Sequence, residues 1–263
     1  MPSCPSLPYA LSLALLVAPT LGAQRLEYAL GTTSYRLTTS TTGTQVSPMG
    51  TQQFDLSVEQ RLTVTVVRRA ADTLVATITI DSISLRGADP APDVGRYRGS
   101  VFLTVLSPAG RVYASKGPEG ADALLAQLTE AVARFLPTYR GILAPGAIWS
   151  DTTAGKVVSQ GVEVDRTIVA DYLVGADSSF AGQTARTIRR RTTMKAAGRG
   201  NANGSEVALE TGSRGESMLY LSREGVYLGS TSSDDIDLTL TIIAANAGIV
   251  VRQKSTQRVE AIR

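Results

Sequence analysis

A long alternation of apolar and polar residues constrains the fold of this chain more than any other feature. Over residues 54–66 every odd position is polar, and the even positions other than Gln60 are apolar, namely Phe54, Leu56, Val58, Leu62, Val64 and Val66. A period of two predicts a β-strand with one buried face. Because the alternation is longer than a usual strand, we expect this strand to bend.

The apolar residues that follow predict a bulge in the partner strand. After a predicted turn at 69–72, one phase holds from Leu74 to Ile80, and Ile83 and Leu85 follow in the other phase. A change of phase inside a strand is what one inserted residue produces, and such a residue bends the sheet. Two long antiparallel strands with a bulge predict a strongly curved sheet.

Two later segments show the same alternation, which extends the mainly-β prediction to the rest of the chain. The apolar positions are Val162, Val164, Ile168, Ala170, Tyr172 and Val174 in the first segment, and Ile236, Leu238, Leu240 and Ile242 in the second.

One segment has helical spacing instead. Residues 121–136 carry an apolar stripe, Glu119 and Asp122 supply acids at its start, and Pro137 ends it. The stripe consists of Leu124, Leu125, Leu128, Val132, Phe135 and Leu136. This pattern predicts one central amphipathic helix of about four turns, whose apolar face needs a sheet to cover.

The chain on either side of this helix resembles itself. LSPAGRVYAS at 106–115 is similar to LSREGVYLGS at 221–230, and the predicted hairpin at 68–80 is similar to the one at 174–188. Such self-similarity indicates duplication. We therefore predict long curved strands in two similar, half-barrel-like halves, with the boundaries 24–116 for the first β half, 117–146 for the helix and linker, and 147–263 for the second β half.

Residues 1–23 have the features of a signal peptide. An apolar run at 10–18, too short to span a bilayer, is followed by small residues up to Ala23. We predict cleavage after Ala23 and a periplasmic or extracellular location. An uncleaved anchor is the alternative, because the leader has no Lys or Arg. No later segment reaches the roughly 18 apolar residues of a membrane helix, so we predict no transmembrane span in the mature chain.

The composition excludes several kinds of chemistry. Cys4 is the only cysteine, and the chain contains no histidine. The mature chain therefore lacks the residues for a disulfide, a thiolate metal site, a Ser-His-Asp or Cys-His site and a His-ligated zinc site. We predict a non-enzymatic protein with no cofactor and no metal, and an enzyme that uses carboxylates alone is the alternative. The formal net charge of +3 is too small to indicate binding to nucleic acid.

Three cations form a candidate site. Arg189, Arg191 and Lys195 share one face of a predicted strand, where they could contact an anionic headgroup or an acidic membrane surface. The alternative is a charged strand that discourages aggregation between sheets.

Three acids form a second charged segment. Asp234, Asp235 and Asp237 supply the oxygen ligands that Ca²⁺ prefers. However, Asp235 and Asp237 alternate with apolar residues and no glycine-bearing calcium loop is present, so we predict a solvated strand face.

Several segments resemble a family of uncharacterised, exported, β-rich bacterial proteins. They are LEYALGTTSYRLTTST at 26–41, APGAIW at 144–149, ADYLVGADSSFAGQTARTI at 170–188, and the run from LSREGVYLGS to DLTLTI. The Gly-Asp-x-Trp turn of that family is Gly146-Ala147-Ile148-Trp149 here, without the acid. The resemblance implies no established activity. A more distant likeness in architecture is to periplasmic lipoprotein carriers of the Lol type, whose half-open curved sheet, covered by helices, holds acyl chains.

A curved sheet with only one helix to cover it leaves apolar surface that needs an occupant. We predict that a lipid or another apolar ligand lies in a groove of the sheet and contacts Leu128, Val132 and Phe135 of the helix. The alternative is a structural or interaction module of the cell envelope, with a dry core and a protein partner. The low aromatic content of 5% disfavours an outer-membrane barrel.

Overall fold

The computed structural model describes residues 27–88, 92–120, 123–140, 143–159, 162–202, 204–245 and 247–262. The predicted signal peptide with its cleavage site after Ala23, and Asp122 before the helix, lie outside the described residues.

Within the described residues, the fold is one curved antiparallel sheet with one α-helix, and the sheet is not closed. This confirms the predicted mainly-β fold class. The elements are β1 (Gly31–Ser47), β2 (Gly50–Ala70), β3 (Thr73–Arg86), β4 (Val101–Leu106), β5 (Val112–Lys116), α1 (Ala123–Ala133), β6 (Ile148–Ser159), β7 (Val162–Phe180), β8 (Gln183–Ala202), β9 (Ser205–Leu221), β10 (Tyr227–Ile242) and β11 (Ala247–Ile262). A short 3₁₀ turn, Gly95–Tyr97, lies between β3 and β4.

The two parts of the chain on either side of α1 join into a single sheet. The strand order is β5-β4-β3-β2-β1-β11-β10-β9-β8-β7-β6, so β5 and β6 are the edges. The first and last strands meet at the centre, where Tyr35 lies opposite Ala261 and Leu37 lies opposite Val259. The division into two duplicated halves, 24–116 and 147–263, stays a prediction.

The predicted bulge lies in β3. Arg61 of β2 pairs with Ser82, whereas Leu62 pairs with Ile80, so Asp81 is the inserted residue. The Thr63 hydroxyl donates a hydrogen bond of 2.8 Å to Asp81 Oδ2. The bulge therefore lies where the apolar phase changes in the sequence, at Asp81 and Ser82.

The helix is shorter than the predicted 121–136. It ends at Ala133, after 11 residues or about three turns. Arg134 and Phe135 then donate backbone hydrogen bonds to the carbonyls three residues earlier, which tightens the chain before Pro137. Leu136 keeps its buried position although it lies outside the helix.

The helix and the segment after it cover one face of the sheet, which we call the inner face. The linker, residues 134–140 and 143–147, is bonded at both ends. The Tyr139 N–H donates to the Ala109 carbonyl in the β4–β5 turn (2.9 Å), and the Gly146 N–H donates to the Val174 carbonyl of β7 (2.8 Å). The linker therefore connects the β4–β5 side of the sheet with β7, and its buried residues belong to the main core.

Candidate functional site

Two of the three helix residues predicted to contact a ligand lie in the main core. Leu128 and Val132 are buried against strands of the sheet, in the same cluster as Ile78 and Phe102. The gap between α1 and the sheet has an empty volume of 190 Å³ and no room for a water molecule. The core under α1 is therefore dry. The predicted ligand contact of Leu128 and Val132 stays a prediction.

Phe135, the third of these residues, is half-buried in an aromatic cluster. Its ring meets Tyr35 edge-on at 5.0 Å and Tyr227 edge-on at 5.8 Å between centroids. The Tyr35 hydroxyl donates a hydrogen bond of 2.8 Å to the Tyr227 carbonyl. Burial raises the pKa of Tyr227 to about 12, so its hydroxyl stays neutral at physiological pH. The cluster fixes the linker against β1 and β10.

The three predicted headgroup cations lie on the outer face, opposite α1. Arg189 and Arg191 both form ion pairs with Glu216 of β9. Lys195 lies at an outer-face groove of 470 Å³ whose lining also includes Asp165 and Glu210. The structure therefore brings Arg189 and Arg191 together, but it separates them from the helix residues by the thickness of the sheet.

The residue between these arginines points inward, and the sequence analysis did not select it. Arg190 is half-buried on the inner face, where its Nε donates a hydrogen bond of 3.1 Å to the Ser217 hydroxyl. Directly opposite it on β7 lies Tyr172, whose ring stacks on Trp149 at 4.7 Å. The signal was present in the sequence, because Arg190 has the same parity as the buried residue Ile188.

Two further arginines approach the inner face at the end of α1. Glu130 of the helix accepts a hydrogen bond of 2.6 Å from Arg166 of β7 and forms an ion pair with Arg134 at 2.9 Å. Burial lowers the pKa of the Arg134 guanidinium, and the nearby charge of Arg166 lowers it further, with a smaller effect from Arg190. The carboxylate of Glu130 thus pairs with both Arg134 and Arg166, and the charge of Arg190 acts on Arg134.

The acidic segment of β10 splits between the two faces. Asp234 points inward, and its carboxylate occupies the space above Gly215, where a Cβ atom would lie only 1.9 Å from Asp234 Oδ1. Burial raises the pKa of Asp234, and the charge of Arg190 partly opposes this. Asp235 and Asp237 are exposed on the outer face, as their alternation predicted. No group of three or more potential metal ligands converges among the described residues.

Beyond this polar region the inner face becomes apolar again. Six half-buried residues, which we call the inner strip, follow one another on β10 and β11: Ile236, Leu238, Leu240, Ile242, Ile249 and Val251. None of them belongs to the core cluster that α1 and the linker cover. Three of them pack at the side of a smaller cluster formed by β7, β8 and β9. The inner strip is thus an apolar, half-buried part of the inner face that lies outside the core under α1 and the linker.

Within the ranges that the structure describes, no helix has the length and apolar character required to cross a membrane.

Comparisons with known proteins give fold-level likenesses. No protein-family model and no curated protein sequence matches the chain. Among solved structures, a DUF1329 family protein from Desulfovibrio piger is 7% identical, with 83% of each chain covered and a TM-score of 0.21. A proposed outer membrane lipoprotein-sorting protein domain from Vibrio parahaemolyticus is 8% identical, with 86% of this chain and 85% of that chain covered and a TM-score of 0.19.

Proposed function

We propose that this protein is a non-enzymatic protein of the cell envelope that binds a lipid on the inner strip. The observation that carries the proposal is the half-buried apolar surface of β10 and β11, which lies on the same face as the helix-covered core but outside it. A contiguous apolar surface of this kind marks a binding site in soluble proteins more often than a free surface.

The dimensions of the inner strip suit an acyl chain. Ile236 to Ile242 spans six residue steps, or about 20 Å at about 3.3 Å per residue. One leaflet of a bilayer has a hydrocarbon thickness of about 15 Å, half of the roughly 30 Å core. A chain of ordinary membrane length therefore fits along β10.

The residues under α1 have a different role in this proposal. Leu128 and Val132 hold the helix against the sheet, and Phe135 fixes the linker through its contacts with Tyr35 and Tyr227. They keep one part of the inner face closed, so that the lipid binds only beyond it. The outer-face cations Arg189, Arg191 and Lys195 would contact an anionic membrane surface rather than the bound lipid.

A matched pair of variants on β11 tests the proposal. Val250 and Val251 are both half-buried but point to opposite faces. We expect Val251→Gln to weaken the binding of a fluorescent fatty-acid probe about tenfold, because an unpaired amide buried under an acyl chain costs about 1–3 kcal/mol. Val250→Gln should leave the affinity unchanged.

Two outcomes contradict lipid binding on the inner strip. One is the absence of probe binding to delipidated wild-type protein at micromolar concentration, together with no lipid in native mass spectra of protein purified from its own source. The other is an equal loss of affinity in both valine variants, which would place the probe elsewhere.

A second candidate function is an interaction module of the envelope, and the β5 edge favours it. Val101 and Leu103 of β4 and Tyr113 of β5 are exposed, and β5 is exposed along its whole length. Such an edge can accept a strand from a partner. Loss of a specific cross-linked envelope partner in a Leu103→Asp variant, with no probe binding by wild type, would favour this function over lipid binding.

A further inference from the structure

We propose that Arg190 binds the anionic head of a lipid whose acyl chain lies on the inner strip. The head is a carboxylate or a phosphate, the groups that planar guanidinium donors bind with two parallel hydrogen bonds. This inference rests on the proposed lipid-binding function and adds the chemical class of the ligand.

The hydrogen-bonding capacity of Arg190 is the first argument. Its partners, Ser217 and Tyr172, are both neutral. Among the described residues, Arg190 forms no ion pair within 4.0 Å, whereas Arg189 and Arg191 on the other face share Glu216. A guanidinium has five N–H donors, so Arg190 keeps donors for a ligand. A half-buried cation whose partners are neutral is stabilised more by a bound anion than a cation that already has an ion pair.

The balance of charge around Arg190 is the second argument. Arg134 and Arg166 share the single carboxylate of Glu130. Asp234 is the other inward acid near Arg190, and its position above Gly215 places it on the β9 side of the arginine.

A neighbouring inward acid does not change this balance. Asp151 of β6 is paired with Arg140 at 3.4 Å. Arg134 and Arg166 therefore already have a carboxylate between them, whereas Arg190 has none within ion-pair distance, and a bound anion would balance the charge of Arg190.

The position of Arg190 relative to the inner strip is the third argument. Arg190 is paired with Ser217, which is paired with Ser232 of β10. β8 and β10 are two strands apart, or about 10 Å across the sheet. The inner strip begins four residues after Ser232, at Ile236. A lipid whose head lies at Arg190 can therefore extend its chain along β10, past the inward carboxylate of Asp234.

The single tryptophan provides the readout. Trp149 is stacked on Tyr172 with an angle of 6° between the rings, and Tyr172 contacts Arg190. We would titrate the full chain with dodecanoate and with dodecanol, which share an apolar chain and differ in charge. Trp149 fluorescence gives both dissociation constants at a pH at which the fatty acid is ionised.

We expect dodecanoate to bind wild type at least tenfold more tightly than dodecanol, which is the size of effect that a charge-assisted hydrogen bond supports. Arg190→Gln should remove this preference and leave dodecanol binding unchanged. Arg190→Lys, which keeps the charge, should retain part of it. Arg214→Gln, at an exposed position of β9 on the outer face, is the control and should change neither constant.

Each remaining outcome counts against a defined part of the argument. Equal affinities of wild type for dodecanoate and dodecanol would overturn the anion site but not lipid binding. The same holds if Arg190→Gln and Arg190→Lys each weaken the binding of the two ligands equally. No binding of either ligand overturns lipid binding as well. A response of Trp149 to phosphate or acetate alone that matches the dodecanoate affinity would overturn the lipid head in favour of a free-anion site.

Discussion

Truncation of Phe135 distinguishes a fixed linker from a movable lid. The ring is half-buried and makes edge-on contacts with Tyr35 and Tyr227 at 5.0 and 5.8 Å. A fully buried Phe→Ala change costs about 3–5 kcal/mol. The two aromatic contacts contribute about 0.5–1.5 kcal/mol each beyond the buried area, and the partial exposure reduces the area term. We therefore expect Phe135→Ala to lower the free energy of unfolding by about 3 kcal/mol.

Urea unfolding of the delipidated protein, followed by Trp149 fluorescence, measures this cost. The slope against urea should stay constant and the midpoint should fall. Tyr113→Ala is the control, because that ring is 55% exposed on β5 and its loss should change stability by no more than about 0.5 kcal/mol. A cost below about 1 kcal/mol for Phe135→Ala would refute the fixed linker, since the ring would then not contribute its observed packing.

Three further changes test other parts of the structure. Gly198→Ala should cost about 1–3 kcal/mol in urea unfolding, because its Cβ would lie 2.2 Å from the Glu163 carbonyl oxygen, whereas Gly155→Ala, with open space around the Cβ, should cost clearly less. Hydrogen bonds from two arginines lower the pKa of Asp177, so its stabilisation is present above the usual carboxyl pKa and is lost as the pH falls through the folded-state value. Asp177→Asn should therefore be less stable than wild type at pH 7, and the two should converge in acid. Burial raises the pKa of Asp234, so the ionised carboxylate of this residue destabilises the folded protein, in contrast to Asp177. Asp234→Asn should therefore be more stable than wild type at pH 7 and should lose that advantage below about pH 4. For either aspartate, a difference in unfolding free energy between wild type and variant that persists in acid would contradict the stated pKa shift.

Local patterns in the sequence were sufficient for several strands and their faces. The alternation in residues 54–66 and the phase change at Asp81-Ser82 predicted β2, β3 and the bulge, because side-chain direction in a strand depends only on parity. The helix was also predictable from spacing. The end of the helix was not predictable from spacing, because Phe135 still packs against the core although the helix has ended at Ala133.

The site required information that a single sequence does not carry. Parity places Arg190 on the inner face, but its partners Tyr172 and Ser217 come from neighbouring strands. The sequence analysis selected Arg189, Arg191 and Lys195 because three cations share a face, and it had no means of finding Glu216 among them. Which apolar residues α1 would leave uncovered depends on the strand order of the whole sheet.

The pairing of β1 with β11 has a consequence for how the chain assembles. The two strands that meet at the centre of the sheet are the first and the last in the described chain, and Ser34 lies opposite Ile262. During synthesis β1 therefore waits with one side unpaired until residues 247–262 have emerged, and the closing contact has nearly the largest sequence separation that the chain allows. Until then the strands before α1 and those after it have no pairing through the centre of the sheet, and β1 and β10 each have one unpaired edge. A chain that stops before β11 would remain in that state, with β1 and β10 available for pairing with other copies.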